Sequence, residues 1–249
     1  MKTIDLNCDM GEGTGNDEAI MPFISSANIA CGFHAGNADI MNATVDLAIR
    51  YGVAIGAHPS LYDIEGFGRR EMVLSKQEIY DIIVYQVSAL AGFVGIKGHK
   101  LHHVKPHGAL YNMAAKDPDQ AEAVVAAVKD LDPDLILYGL SGSELIRAGK
   151  KAGLRTCSEA FADRTYQNDG SLTSRKHPGA IITDFGKSVE QVMTMISEHT
   201  VRTVSGDMIS IEADTICIHG DHKGAEVFAK EMNRSLVSAG YHIKAFEAV

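Results

Sequence analysis

Carboxylates, imidazoles and a lysine recur just past short apolar runs in this 249-residue chain, and their types suit hydrolytic chemistry. The first run ends Asp5-Leu-Asn7-Cys-Asp9-Met-Gly-Glu12. A period of two sets Asp5, Asn7 and Asp9 on one face of a strand, with Glu12 just beyond. His34 closes Cys-Gly-Phe-His, His58 closes Gly-Ala-His, and Lys105 and His107 share a face in Val-Lys-Pro-His. Farther on stand Glu159-Ala-Phe-Ala-Asp163-Arg164 and His219-Gly-Asp221. Such groups supply general bases and positive charge for a developing oxyanion. They also supply metal ligands, and Asp5, His34, His58 and His107 are candidates for one divalent ion. Taken singly, each fits a hydrogen-bonded structural residue. Taken together they mark a site, because buried unpaired charge is costly and stability alone would not gather it at one rim.

Arg69 and Arg70 follow two glycines in Gly-Phe-Gly-Arg-Arg, a loop suited to close approach and to binding carboxylate or phosphate. The run Gly11-Glu-Gly13-Thr-Gly15 offers backbone N–H groups to an anion, but matches neither dinucleotide-binding nor Walker A spacing. No His-Glu-x-x-His or Gly-x-Ser-x-Gly is present. Ser141 reads as a turn or helix cap, and Cys31 as a buried strand thiol rather than a nucleophile.

The elements that must position these groups alternate along the whole chain. Apolar runs at Thr3–Cys8, Ala27–Cys31, Ala54–Ala57, His103–Lys105, Leu135–Tyr138, Arg155–Ser158 and Thr215–His219 read as strands. Amphipathic stretches at Ala38–Tyr51, Ser75–Phe93, Pro118–Leu131, Ser143–Ala152, Lys187–His199 and Ala225–Ala239 read as helices. This is the signature of repeated βα units around a parallel sheet, an α/β fold in one domain over 1–249. In a parallel α/β barrel the carboxyl ends of the strands share one mouth, which is where the polar groups fall. Ser75 and Glu78 form a potential capping box, and Gly153 and Gly240 stand as helix stops. Thr200–Glu212 alternates around Ser205-Gly206-Asp207 and reads as a small inserted β-hairpin. His242–Phe246 is an eighth strand that either closes the sheet or packs at its edge.

A formal charge of −9 and the lack of a basic run disfavour nucleic acid and anionic membrane as partners. No apolar run is expected to span a bilayer, and the start of the chain lacks signal-peptide features, so the expected location is cytoplasmic. Four widely spaced cysteines, Cys8, Cys31, Cys157 and Cys217, read as buried thiols.

At the residues first named, the sequence closely resembles the LamB/YcsF family of 5-oxoprolinase A subunits. The matching blocks begin at Asp5 (D-L-N-C-D-M-G-E), Asn28 (N-I-A-C-G-F-H-A-G), Gly56 (G-A-H-P-S) and Gly66 (G-F-G-R-R). They continue at Val104 (V-K-P-H-G-A-L-Y-N), Glu159 (E-A-F-A-D-R) and His219 (H-G-D). The resemblance implies a seven-stranded (βα) barrel similar to glycoside hydrolase and deacetylase barrels. It further implies a polypeptide that works with two other subunits, B and C, to cleave 5-oxoproline to glutamate while ATP is hydrolysed to ADP and phosphate. In that reading Asp5 or His107 is the general base, His58 and Lys105 stabilise oxygen charge, and Asn7 and Asp221 complete the catalytic group. Arg70 or Arg164 holds the substrate carboxylate, with Glu12, His34, Arg69, Glu159, Asp163 and His219 around it. ATP, bound here or mainly by a partner, and a divalent metal are the cofactors this reading admits. Two places depart from the family pattern: Asn37 where Asp is usual, and His222-Lys223-Gly224 where a Pro-containing turn is usual. A metal-dependent deacetylase or amidohydrolase acting alone, and a non-catalytic binding or regulatory subunit, remain open, as does homo-oligomerisation.

Overall fold

The structure is a computed structural model that describes residues 2–220 and 224–247. Its strands are β1 (Lys2–Met10), β2 (Ser26–Ala30), β3 (Ala54–His58), β4 (His103–Val104), β5 (Ile136–Leu140), β6 (Arg155–Phe161), β7 (Thr200–Arg202), β8 (Met208–Ser210), β9 (Thr215–Ile218) and β10 (Tyr241–Ile243). The helices are α1 (Asp17–Ile20), α2 (Ala38–Tyr51), α3 (Lys76–Gly95), α4 (Gly108–Ala114), α5 (Pro118–Leu131), α6 (Glu144–Ala152), α7 (Phe185–Glu198) and α8 (Ala225–Ser238). Strands β1 to β6 and β9 pair in parallel, and β9 returns to β1, which closes a seven-stranded barrel. β7 and β8 form the separate antiparallel ribbon that the alternation around Ser205-Gly206 predicts. Of the two roles open to the last strand, β10 takes the edge: it pairs with Lys2–Ile4, below the stretch Asp5–Cys8 that β9 occupies.

Apolar side chains on the outer strand face and the inner helix faces make one continuous core, including Leu6, Ile29, Ile83, Leu90, Val124 and Met232. The 20-residue α3 corrects the expectation about bilayer-spanning runs, since by length and composition alone it is long and apolar enough to cross one. Ile79, Ile83, Val87, Leu90 and Val94 explain that apolarity: they form its buried face, and the helix packs on β3, α2 and α5. Ser75 and Glu78 make the reciprocal capping box expected of them. Asn37 keeps a capping role, its Oδ1 accepting from Ile40 N at 2.9 Å. Ser143 rather than Ser141 caps α6, while Ser141 Oγ accepts from Glu212 N and anchors the end of the ribbon. All four cysteines are buried and free.

Inside the barrel a small apolar cluster of Ile136, Tyr138 and Cys157, with Phe246 packed on it, lies beside polar filling. Tyr138 OH donates to Asp5 Oδ2 at 2.9 Å, and the His103 ring stacks on Tyr138 with centroids 4.1 Å apart. His103 Nε2 donates to Asn28 Oδ1, and Asn28 Nδ2 donates to both Asn7 and Asp9. Gly56 has to be glycine because a β-carbon there would overlap the His103 ring.

Candidate active site

Strand β1 delivers Asn7 and Asp9 to the upper barrel interior, and Lys105, one residue past β4, reaches across to them. Lys105 Nζ donates to Asp9 Oδ1 at 2.9 Å, Asn7 Oδ1 at 3.1 Å and Cys217 Sγ at 3.2 Å. Glu159 Oε1 lies 2.7 Å from the same ammonium as an ion pair rather than an aligned hydrogen bond. Glu159 Oε2 accepts from Tyr111 OH at 2.6 Å, one helical turn after His107 on α4. Burial alone would lower the Lys105 ammonium, but the surrounding anionic groups, Asp9 first, hold it well above the usual lysine range. Burial would likewise raise Asp9, yet the charges of His58 and Lys105 hold its carboxyl well below the usual range.

Three histidines stand beside this group. His58, the last residue of β3, donates from Nδ1 to the Lys105 carbonyl at 2.7 Å. Its Nε2 lies 2.9 Å from His107 Nδ1 and 3.3 Å from Asp9 Oδ2. His107 Nε2 donates to the Phe67 carbonyl at 2.9 Å. The His34 ring lies flat on His107, centroids 3.8 Å apart, with its Nε2 3.3 Å from Glu12 Oε1. Burial pushes His34 down to about 3 and His107 well below the usual imidazole range, so both rings are neutral at pH 7.

The Gly-Phe-Gly-Arg-Arg loop is shaped to make those contacts. Phe67 adopts φ 54°, rare for a residue with a side chain, which aims its carbonyl at His107. At Gly68 a β-carbon would run into Ser60, His107 and His34. Gly68 O in turn accepts from Ala109 N at 2.8 Å, pinning the loop to the start of α4.

A cavity of about 1000 Å³ opens over this floor, lined at its base by Asp9, His58, Lys105, His107, Phe161 and His219. Its walls set Arg69, Lys116, Arg147, Arg175 and Lys176 against Glu71, Glu144 and Asp169, with Arg147 paired to Glu144, so the rim is net positive on a chain of net charge −9. His219 Nδ1 bonds Asp163 at 2.8 Å and its Nε2 lies 3.0 Å from Arg175 Nη2.

Residues 4–249 match the LamB/YcsF family. The chain belongs to that family. It is 58% identical to the 5-oxoprolinase A subunit of Tolumonas auensis, an alignment covering 98% of this chain and 100% of the relative. It is also 58% identical to the protein of that name in Geobacillus thermodenitrificans, over 98% and 97% of the two chains. The crystal structure of the lactam utilization protein from Thermus thermophilus superposes with a TM-score of 0.91 at 43% identity, covering 99% of this chain and 100% of that one. A putative cellobiose-phosphate cleavage protein from Enterococcus faecalis shares the fold, with a TM-score of 0.58 at 13% identity over 98% and 97% of the chains.

In this LamB/YcsF barrel Asn7, Glu12, His34, His58, Lys105, His107 and Glu159 come together, as one network below the mouth. Asp5 does not join them. It lies two strand positions below Asn7, roughly 6 to 7 Å deeper, where Ser25, Ser26 and Tyr138 donate to it and burial raises its carboxyl. Arg70 is taken up by Asp63, and the Arg164 guanidinium by the carbonyls of Thr173 and Ala180. Arg69 lies over the Phe67 ring at the cavity wall, and Asp163 pairs with His219, which lines the cavity. Asp221, like His222 and Lys223, lies outside the described residues, whereas Gly224 is the left-handed cap of α8. The sequence pattern gave no role to Asn28, Tyr111 or Arg175, although Tyr111 stands four residues after His107 and so faces the same way on a helix.

Proposed function

We propose that this chain is the A subunit of an ATP-dependent 5-oxoprolinase and that its barrel mouth opens the lactam. The names of relatives 58% identical over nearly their whole length support the reaction class. The observation that carries the reading is the buried Lys105 ammonium, clasped by Asp9 and Glu159 under a cavity with a positive rim.

The five-membered lactam resists water because its amide is resonance-stabilised, so transfer of the ATP γ-phosphoryl group to the amide oxygen, with the B and C partners, activates C5. Water then bonds to C5, the C5–N bond breaks, and the nitrogen leaves protonated as the amine of glutamate. A second water releases the phosphate, so one ATP and two waters give glutamate, ADP and phosphate. In this scheme the Lys105 ammonium faces the negative charge that develops on oxygen. Glu12, which lines the cavity, takes the proton of the attacking water, while Asp9, its carboxyl held well below the usual range, keeps Lys105 charged and in place. Arg175 holds the substrate carboxylate. Asp5 is too deep for the base role and serves as a structural acceptor.

Glutamate release from 5-oxoproline and ATP, measured for the chain alone and mixed with B and C, tests the reading. Release only in the mixture is expected, with Lys105→Met reducing it at least about 100-fold, the scale of removing an oxyanion donor. Full activity of a folded Lys105→Met complex would refute the role given to Lys105, and no release by authentic wild-type partners would refute the reaction. The imidazole cluster also suits an amide hydrolase acting alone. Acetyl release by the isolated chain without ATP would favour that second reading.

A further inference from the structure

The hydrogen bonds of two histidines leave a pair of facing nitrogens that either a shared proton or a metal ion satisfies, and the groups around them favour the metal. A carbonyl oxygen only accepts, so His58 Nδ1, bonded to Lys105 O, and His107 Nε2, bonded to Phe67 O, both carry hydrogen. The remaining nitrogens, His58 Nε2 and His107 Nδ1, face each other at 2.9 Å, and unless a proton sits between them both present lone pairs. Two lone pairs do not approach so closely without something positive between or beside them.

Glu12 Oε1 lies 3.7 Å from His107 Nδ1 and 3.3 Å from His34 Nε2, and one donor atom from each of Glu12, His34, His58 and His107 falls within 4.8 Å of all the others. Ligands held about 2.0 to 2.2 Å from one ion stand roughly 3 to 4 Å apart, so the set is close to a coordination shell. His34 is 1% exposed, and its Nδ1 has no hydrogen-bond partner. For His58 and His107 a backbone carbonyl accepts from the far ring nitrogen, the arrangement that fixes metal-binding tautomers.

We infer that Glu12, His34, His58 and His107 form a site for one divalent first-row transition ion, with Asp9 Oδ2 beside it. Three imidazoles and a carboxylate suit Zn²⁺ or Co²⁺ better than Mg²⁺, which prefers oxygen alone. When bound, such an ion would polarise an amide oxygen or acidify a water at the cavity floor. This set differs from the one the sequence suggested, since Glu12 replaces Asp5.

The test uses the full chain, dialysed against chelator and titrated with Co²⁺ and then Zn²⁺. One equivalent should bind with visible ligand-field bands characteristic of nitrogen ligation, and Zn²⁺ should displace it. His107→Gln should weaken binding by more than the roughly 10- to 100-fold typical of an outer-shell change. If that variant fails to fold, Glu12→Gln, on the loop after β1, should weaken binding and shift the bands. A folded wild-type chain that retains no metal and develops no bands overturns the proposal and leaves a proton shared by His58 and His107. Binding that survives both variants unchanged also overturns it. The proposal concerns the same mouth as the lactam-opening reading but does not depend on it, because metal titration needs neither substrate nor partners.

Discussion

Lys105→Met removes a cation and keeps most of the side-chain volume. Lys105 is 2% exposed, and its side-chain partners Asp9 and Glu159 are 10% and 0% exposed, so water cannot take its place. The change leaves two carboxylates facing each other, and breaking a buried pair in this way costs about 3 to 5 kcal/mol. At about 2 to 4 °C per kcal/mol for a chain of this size, melting should fall by roughly 6 to 20 °C at pH 7.5. The pH dependence distinguishes lost charge from lost packing. In the wild type Asp9 has a folded pKa below its unfolded value, so its stabilisation is present above the unfolded pKa and is lost as pH falls through the folded one. Without Lys105 the folded pKa moves up, protonation at lower pH relieves the repulsion, and the gap between variant and wild type should narrow from pH 7.5 to pH 5. Thermal melts of both proteins at those two pH values measure it. A loss under about 1 kcal/mol at pH 7.5, or a loss independent of pH, would show that Lys105 does not compensate the two carboxylates.

Gly56→Ala should push His103 away from Asn28 and cost about 1 to 3 kcal/mol in urea unfolding, as overpacking does. Burial holds His103 well below the usual imidazole range. The unfolded chain therefore takes up a proton that the folded one refuses, and stability should fall as pH drops below about 6.5. His103→Gln should flatten that slope by up to one proton when stability is followed from pH 7 to pH 5. Asp5→Asn should cost about 1 to 3 kcal/mol by weakening acceptance from Ser25, Ser26 and Tyr138, yet keep glutamate release per folded complex. A large loss of turnover without loss of stability would return Asp5 to the reaction.

The barrel was legible because buried parallel strands and amphipathic helices alternate, and because polar residues crowd the carboxyl ends of the strands. Period two placed Asp5, Asn7 and Asp9 on one face correctly but carries no information about depth along the barrel axis. From the sequence Asp5 consequently takes a catalytic role and Asp9 none, although Asp5 is sealed under Tyr138 and Asp9 lines the cavity. Arg70 looked available because its partner, Asp63, binds it through a turn that local pattern does not reveal. The short α4, opening on Gly108 in left-handed φ, gave too little periodicity to read, which hid Tyr111. Asn28 and His103 act through contacts between different strands, and Asn7 meets Thr215 across 208 positions.

That last separation sets the order of events during synthesis. β1 finds its neighbours on one side only in β9 and β10, since Asp5–Cys8 pair with Thr215–Ile218 and Lys2–Ile4 with Tyr241–Ile243. At about 5 to 20 residues per second, the first strand waits roughly 10 to 50 seconds for them to emerge. Through that interval Asp5 and Asn7 lie on an open sheet edge, where their polarity discourages pairing with a neighbouring chain. The buried polar column thus also guards the nascent chain, and ring closure is a late, non-local step that makes folding slow.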